Sequence, residues 1–513
     1  MACDSSLVRR WAQVLWDGFA QTPVKMEDKL FDSKRTKIVC TLGPSTEDDD
    51  VLRDMIRYGM NVARLNFSHG SHEYHRTNIE RVRRIAEELE ANVAIMTDTK
   101  GPEIRTRQNE NHEIIWFETG DKVRITSRDT ASTKGRIALD YPTLAKELEP
   151  GDVIYIDDGL LGFEVESIDG DDLCCRVTNG GTLGEQKGVN IPNVAVDLPA
   201  ITDQDREDIR FSCEMGVDAI AVSFIRNAAA VNEVRDLCKE YGSPRIQIFS
   251  KVESAFAIEH FDEILAASSG IMVARGDLGV EIPPAEVPQV QKDIIAKCNS
   301  EYCPVITATQ MLDSMTHNPR PTRAEVTDVA NTINDGTDCV MLSGETAAGN
   351  YPVEAVKMMA EVCRKTEAHL PERQKYHDRG GRRNVSGATG YAAVEVARLV
   401  GAKALVCPTI SGRTARIMSA FRPRLPIIAT APTTIGLRRT CFYWGVEGIA
   451  AEEQGAFMKV CYDAINQAKE TGLLQPGDIA VITAGDPISS PMLKDGEITP
   501  DTPTNVCITA QVM

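Results

Sequence analysis

No stretch of this 513-residue chain approaches the roughly 20 uninterrupted apolar residues that a membrane-spanning helix needs, so a membrane role through such spans is not expected. Positive charge is also scarce. With 56 Lys and Arg against 75 Asp and Glu the formal net charge is −19, which argues against nucleic acid as a bulk partner, because duplex binding draws on clustered cations. An anionic substrate must then be held by a local cluster. Paired thiols are missing as well: the 14 cysteines are scattered singly apart from Cys174 and Cys175, with no Cys-x-x-Cys. They read as reduced, mostly buried thiols of an intracellular, cytoplasmic protein. The first residues lack the Arg- and Ser-rich, acid-poor character of a targeting peptide. Leu7, Val8, Trp11, Val14, Leu15 and Phe19 instead make an apolar stripe at helical spacing, so residues 1–35 are expected to form a docked helical arm. There is no short-period repeat and no low-complexity tract.

What is present fits a soluble globular protein of several domains, with 42% apolar and 26% charged residues. Short apolar runs followed by helical patterns recur: KIVCTL from Lys37, NVARLNF (61–67), VAIMTDT (93–99), AIAVSFI (219–225), IQIFSKV (246–252), GIMVARGD (270–277), PVITATQ (304–310) and CVMLSGE (339–345). Strands covered on both faces lose the apolar/polar alternation, and eight such units in series close a TIM-type (β/α)8 barrel. Residues 100–218 are too many for one crossover, so a domain is inserted after the third strand. Its short strands, KVRIT (122–126), DVIYID (152–157), GFEVESI (162–168) and DLCCRVT (172–178), predict a small β-rich lid over the barrel mouth. After a helix near Val353–His369, the polar stretch PERQKYHDRGGRRNVSG reads as a linker. Beyond it, the helix AAVEVARLV (392–400) and the strands ALVCPT (404–409), PIIATA (426–431), GDIAVITAG (477–485) and NVCITAQV (505–512) predict an open α/β sheet. The expected boundaries are an arm at 1–35, a barrel at 36–103 and 199–370, a lid at 104–198 and a C-terminal regulatory domain at 371–513.

In such a barrel the chemistry lies at the carboxyl ends of the strands. Reading off the polar residues that close the runs gives Thr41, Arg64, Asn66, Ser68, Asp98, Thr99, Ser223, Lys251, Glu253, Asp277, Thr309 and Glu345. Single Ser or Thr residues there are often caps, and Lys251 with Glu253 or Arg275 with Asp277 could be structural ion pairs. Alternate strand residues face the same side, however, so Lys251 and Glu253 can share the mouth. Two carboxylates from adjacent strands suit a hard divalent ion, magnesium or manganese, that also resolves the conflict between acidic residues and an anionic substrate. Arg64 offers a fork for a phosphoryl group and Lys251 a point charge for developing negative charge. GDLGVEIP (276–283) reads as a glycine turn opening a helix whose N–H groups suit a substrate carboxylate.

The segments VARLNFSHG (62–70), DTKGPEIRT (98–106), KGVNIP (187–192), SKVES (250–254), ARGDLGVE (274–281), TATQMLDSM (307–315) and NPRPTRAE (318–325) resemble the pyruvate kinase family, in order and spacing, from about residue 36 to the end. The resemblance implies an enzyme that transfers the phosphoryl group of phosphoenolpyruvate to ADP, giving pyruvate and ATP. It implies that Arg64, Lys251, Gly276, Asp277 and Thr309 contact phosphoenolpyruvate, with Lys251, Arg64 and Thr309 catalytic. Glu253 and Asp277 would hold magnesium or manganese. Asn66, Ser68, Asp98 and Thr99 would hold potassium. Thr41, Pro44, Asn66, His69, Arg105 and Lys187 would meet the nucleotide. It further implies a homotetramer with NPRPTRAE at a subunit contact. Glu103 stands where potassium-independent members of the family carry Lys, so potassium dependence is expected. A metal-dependent lyase or aldolase acting on pyruvate enolate would share the barrel and the Glu and Asp pair but needs no nucleotide-holding lid. A catalytically silent regulatory homologue is disfavoured because every expected catalytic position is filled.

The segment TISGRT (409–414) resembles the family's effector-phosphate loop, with Thr409, Ser411, Gly412, Arg413 and Thr414 as candidates for a sugar-phosphate effector. Relatives activated by fructose bisphosphate place an Arg and a Trp of a late C-terminal loop on the second phosphate. This chain has no Arg after Arg439 and no Trp after Trp444, and GDPISSPMLKDGEITPD is acidic apart from Lys494. A monophosphate is therefore expected in preference to a bisphosphate.

Overall fold

The computed structural model describes residues 34–194, 196–371, 384–452, 456–485 and 503–513. The expected helical arm lies outside the described residues apart from its last two positions, as do most of the linker and nearly all of the late acidic loop.

Eight parallel strands, Lys37–Thr41, Met60–Asn66, Ala94–Asp98, Ala219–Val222, Gln247–Val252, Gly270–Ala274, Val305–Ala308 and Cys339–Leu342, close into a barrel in which the first pairs with the eighth. The period of two sorts each strand's side chains. Val39, Val62, Met96, Ala221, Phe249, Met272 and Met341 belong to one buried cluster, while Ile38, Ala63, Ile95, Ile220, Ile248, Ile271 and Val340 pack in another with the surrounding helices. The first set fills the barrel. Phe249 fits because Gly270 beside it has no side chain: a Cβ there would stand 2.2 Å from the ring.

The interval after the third strand folds into a seven-stranded sheet. The expected strands are present as Lys122–Thr126, Val153–Ile156, Leu161–Asp169 and Asp172–Asn179. Ile104–Arg105, Arg136–Ala138 and Gly188–Asn190 complete the sheet, and Ile115–Phe117 pairs with Gly181–Leu183 beside it. Its core gathers Phe117, Phe163, Ile125 and Leu161, independent of the barrel's.

In the C-terminal unit the five strands run Val446–Ala450, Ile427–Ala431, Ala404–Pro408, Ile479–Ala484 and Val506–Gln511, the last antiparallel. Two expectations are corrected here. The helix runs over Val385–Leu399, so Val385, Ser386 and Gly387 form its first turn rather than linker, with Asn384 accepting from Gly387 N as cap. Val446–Ala450 is a strand the apolar pattern did not show. This unit packs under the barrel floor, where Phe249 meets Phe442 at 4.9 Å between ring centroids. Asp338 at the start of the eighth strand pairs with Arg422 at 3.0 Å, both side chains about 5% exposed.

Candidate active site

The inward face of each strand continues past its apolar residue by one step of two, and that step is polar on six of the strands. Val39 leads to Thr41, Val62 to Arg64, Met96 to Asp98, Ala221 to Ser223, Phe249 to Lys251 and Met341 to Ser343. A buried polar layer therefore caps the apolar one at the carboxyl end of the barrel.

Asp98, 1% exposed, is its hub. Arg64 Nε donates to Asp98 Oδ2 at 2.7 Å and Lys251 Nζ stands 3.3 Å from Oδ1. Arg64 Nη1 also donates to Thr41 Oγ1 at 2.9 Å, and Lys251 Nζ donates to Ser223 Oγ at 2.8 Å. Burial opposes ionisation of Asp98, but Arg64 and Lys251 overcome it and hold the carboxyl below its ordinary range. Burial likewise opposes the Lys251 charge, and Asp98 and Glu253 overcome it, keeping the ammonium protonated.

Glu253 follows the fifth strand. Its Oε2 accepts from Phe224 N at 2.5 Å, and Lys251 Nζ lies 2.7 Å from Oε1 without a hydrogen-bonding alignment, leaving that buried oxygen with no hydrogen bond. Burial pushes the Glu253 carboxyl up to about 7 despite Lys251. Phe224 takes φ 54° and Thr309 φ 67°, left-handed values costly for such side chains. Thr309 Oγ1 accepts from Gly276 N at 2.8 Å and donates to Ala308 O at 2.7 Å.

Several expectations need correction. Asp277 is not a strand-end residue: with Gly276 it sits on a helix, Arg275–Glu281, that starts where the sixth strand stops, in line with the reading of GDLGVEIP as a turn opening a helix. Arg275 is not Asp277's partner. It turns to Asp328 at 2.7 Å and to the Ala308 and Thr309 carbonyls, bracing the loop that carries Thr309. Glu345 leaves the mouth too, its carboxylate accepting from Leu312 N and Ser343 N. It is a brace between loops.

Above the mouth lies a cleft of about 340 Å³ walled by both barrel and lid, lined by Glu103, Arg105, Asp158, Lys187, Asp277 and Glu281 among others. The lid cations are held by carboxylates. Arg105 reaches Glu103 Oε2 at 2.6 Å, and Lys187 Nζ lies 3.0 Å from Asp157. Asp157 and Asp158 occupy a left-handed turn with φ 57° and 53°, and burial, then Asp277, raises the Asp158 carboxyl. Sequence patterns gave no sign of Asp157, Asp158 or Glu281, because a turn and a helix end have no periodicity to read.

The remaining expected positions are more dispersed. Asn66 pairs with Asp98 across neighbouring strands, and its Oδ1 accepts from Ser68 N at 3.1 Å. Thr99 Oγ1 accepts from Ser223 N, and its carbonyl from Ser223 Oγ. Pro44, opening a turn after the first strand, and His69, on the loop after the second, are exposed. In the C-terminal unit, Gly412 at φ 81° leads into the helix Arg413–Ala420, and its N–H donates to Thr409 Oγ1. The Ser411 carbonyl accepts from Arg439 at 3.3 Å. Thr414 points inward, its hydroxyl sharing a hydrogen bond with buried Thr504 at 2.9 Å.

Comparison with known proteins gives a consistent result. Residues 33–356 match the family model "Pyruvate kinase, barrel domain" and residues 387–494 match "Pyruvate kinase, alpha/beta domain". A pyruvate kinase of Geobacillus stearothermophilus is 46% identical over 459 residues, 89% of this chain and 78% of that protein. One from Staphylococcus aureus (strain MRSA252) is 45% identical over 458 residues, 88% and 78% of the respective chains. The crystal structure of a pyruvate kinase from Cryptosporidium parvum superposes with a TM-score of 0.86 at 38% identity, covering 94% of this chain and 97% of that one. With barrel, inserted lid and C-terminal sheet all accounted for, the chain belongs to the pyruvate kinase family and is a phosphotransferase.

Proposed function

We propose that the phosphoryl group of phosphoenolpyruvate passes to ADP in the cleft between barrel mouth and lid, giving ATP and pyruvate. The observation that carries this reading is the juxtaposition of Arg64 and Lys251, fixed on Asp98 at the barrel mouth, with Arg105 and Lys187 on the lid. Arg64 holds the phosphoryl group, and the Gly276 amide with Thr309 orients the substrate's carboxylate. ADP attacks in line with its phosphates on Arg105 and Lys187, displacing Glu103 and Asp157, while Thr41, Pro44, Asn66 and His69 shape the nucleotide side. Phosphoryl transfer of this kind is mostly positioning and charge neutralisation. Lys251 meets the enolate oxygen of the leaving group. Because the Thr309 hydroxyl donates to Ala308 O, its part in protonating that enolate is to position a water rather than to give up its own proton.

The residues fit the expected metals. Glu253 Oε1 is buried, makes no hydrogen bond and has the Lys251 ammonium 2.7 Å away, so it is already an oxygen that faces positive charge, and Asp277 lines the adjoining cleft. Magnesium or manganese on Glu253 and Asp277 supplies, when bound, positive charge opposite the phosphoryl and enolate oxygens. Potassium would be held by oxygens of Asn66, Ser68, Asp98 and Thr99, and would supply further positive charge to the site.

The wider reading is a cytoplasmic homotetramer, with arm, barrel, lid and regulatory domain bounded as the sequence suggests. The segment 318–325 is largely exposed, as a subunit contact must be in one protomer. Thr409, Ser411, Gly412 and Arg413 form the phosphate loop for a regulatory sugar monophosphate, with Thr414 anchoring the helix behind it. Coupled measurement of phosphoenolpyruvate-dependent ATP formation, with and without magnesium and potassium, tests the reaction. No ATP with both ions present would overturn it.

A further inference from the structure

The lid is joined to the barrel by two linkers, and each is pinned. Gly101 N, on the outgoing linker, donates to Asp205 Oδ1 at 3.0 Å, and Arg226 holds the returning one through the carbonyls of Val196 and Leu198. Away from the linkers the two bodies touch sparsely. Among the described residues a single hydrogen bond crosses from lid to barrel: Asn190 Nδ2 donates to Glu281 Oε1 at 3.1 Å. Beside it, Gly159 of the lid comes near Val280 of the barrel, whose Cγ1 would be in ordinary contact, 3.9 Å, with a Cβ at that position.

Both ends of this bond are tied to the chemistry. Asn190 closes the strand Gly188–Asn190, which directly follows Lys187. Glu281 ends the helix Arg275–Glu281 that carries Gly276 and Asp277. The Glu281 carboxylate is also badly placed for its own sake. It sits at a helix C-terminus, where negative charge is disfavoured, and burial, with Asp277 adding to it, raises its pKa, against which Asn190 is the opposing partner. A half-hidden carboxylate held against these effects by one lid amide is a designed contact rather than a solvated surface group.

We propose that Asn190 and Glu281 are a latch, a positioning pair that sets how far the lid closes and so how Lys187 is presented to the nucleotide phosphates across from Asp277. The inference rests on the phosphoryl-transfer reading above. Both residues line the wall of the cleft, and the reaction reading assigns neither of them a contact with substrate. Its effect is on the fraction of enzyme with the lid down, and a ligand that needs the closed state binds more weakly in proportion to the loss of that state.

The test is a set of variants in the full chain: Asn190→Ala, Asn190→Asp, Glu281→Ala and Glu281→Gln, each with KM for ADP and for phosphoenolpyruvate measured separately. Asn190→Ala and Glu281→Ala are expected to raise KM for ADP about tenfold, as loss of a hydrogen bond to a charged group would, with little change for phosphoenolpyruvate. The double alanine variant should be no worse than either single one. Asn190→Asp, which sets a second carboxylate against Glu281, should be worse than Asn190→Ala. Glu281→Gln keeps the acceptor and should stay near wild type, which separates the latch from a general packing role. Hydrogen exchange over residues 188–191 gives a readout that does not depend on turnover: it should quicken in Asn190→Ala and not in Glu281→Gln. If wild-type enzyme makes no ATP, the reaction reading fails while the exchange experiment still decides the latch. A KM for ADP within about twofold of wild type in Asn190→Ala, or unchanged exchange, overturns the proposal.

Discussion

At the scale of single residues, Lys251 donates to Ser223 and is flanked by the carboxylates of Asp98 and Glu253, which fix an ammonium where the proposed reaction develops charge on the enolate oxygen. Lys251→Met is expected to lower kcat by roughly a hundred- to a thousand-fold, the usual cost of one preorganised electrostatic group. Circular dichroism should show a retained fold, and turnover above a tenth of wild type would refute the role. Glu103 carries a second prediction. Its carboxylate binds Arg105, so Glu103→Lys replaces an attraction by a repulsion and brings an ammonium beside the cleft. The activation by potassium expected of wild type should weaken in that variant, compared in tetramethylammonium buffer. Equal activity of wild type with and without potassium would contradict the assignment. Much of this site was legible because strand-end residues obey a period of two: Thr41, Arg64, Asp98, Ser223 and Lys251 follow from counting along each apolar run. Asp277 and Arg275 were misread because the run GIMVARGD gives no mark of where strand becomes helix, and their partners are set by tertiary geometry.

At the scale of elements, long buried strands announced themselves, and short ones did not. Gly188–Asn190 has only three residues, too few to show a pattern, and Val446–Ala450 contains a glycine and is mostly unburied. The linker estimate ran into the helix Val385–Leu399 because its first turn, VSG, is composed like a loop. The effector loop was legible as a turn into a helix, but the inward direction of Thr414 was not. With Thr414 committed to Thr504, the proposed site for a single phosphate rests on the remaining loop residues, Thr409 to Arg413. A sugar monophosphate is therefore expected to lower the half-saturating phosphoenolpyruvate concentration, and fructose bisphosphate to be weak or inert, since the late segment GDPISSPMLKDGEITPD contains carboxylates and no Arg to pair with a second phosphate. Titration with each sugar phosphate decides it, and strong activation by micromolar fructose bisphosphate would refute the reading.

At the scale of the whole molecule, catalytic barrel and C-terminal unit share one apolar cluster, so what holds the seam between them bears on both. Asp338 is the polar centre of that seam. Its Oδ2 accepts from Val305 N at 3.0 Å inside the barrel, and its Oδ1 faces Arg422 at 3.0 Å and Trp444 N at 3.3 Å in the other unit. Arg422 in turn reaches the Gly336 carbonyl and Asn299 Oδ1 on the barrel side, and its guanidinium lies over the Trp444 ring. Breaking a buried pair by deleting one partner costs about 3–5 kcal/mol, far more than replacing both with apolar groups. Asp338→Ala should fall at the lower end, about 3 kcal/mol, because Arg422 keeps its neutral acceptors. Asp338→Asn, which keeps an acceptor oxygen, should lose less. Because Asp338 also closes the ladder between the seventh and eighth strands, the loss should appear in the barrel's own unfolding and not only in the seam. Denaturant unfolding followed by Trp444 fluorescence, in a background with Trp11, Trp16 and Trp116 replaced by Phe, and by far-ultraviolet circular dichroism separates these cases. Coincident transitions shifted together mean that the seam unfolds with the barrel, whereas an early Trp444 transition means that the seam parts first. A loss below about 1 kcal/mol by both probes would show that the apolar contact of Phe249 with Phe442, not the buried pair, holds the two units together.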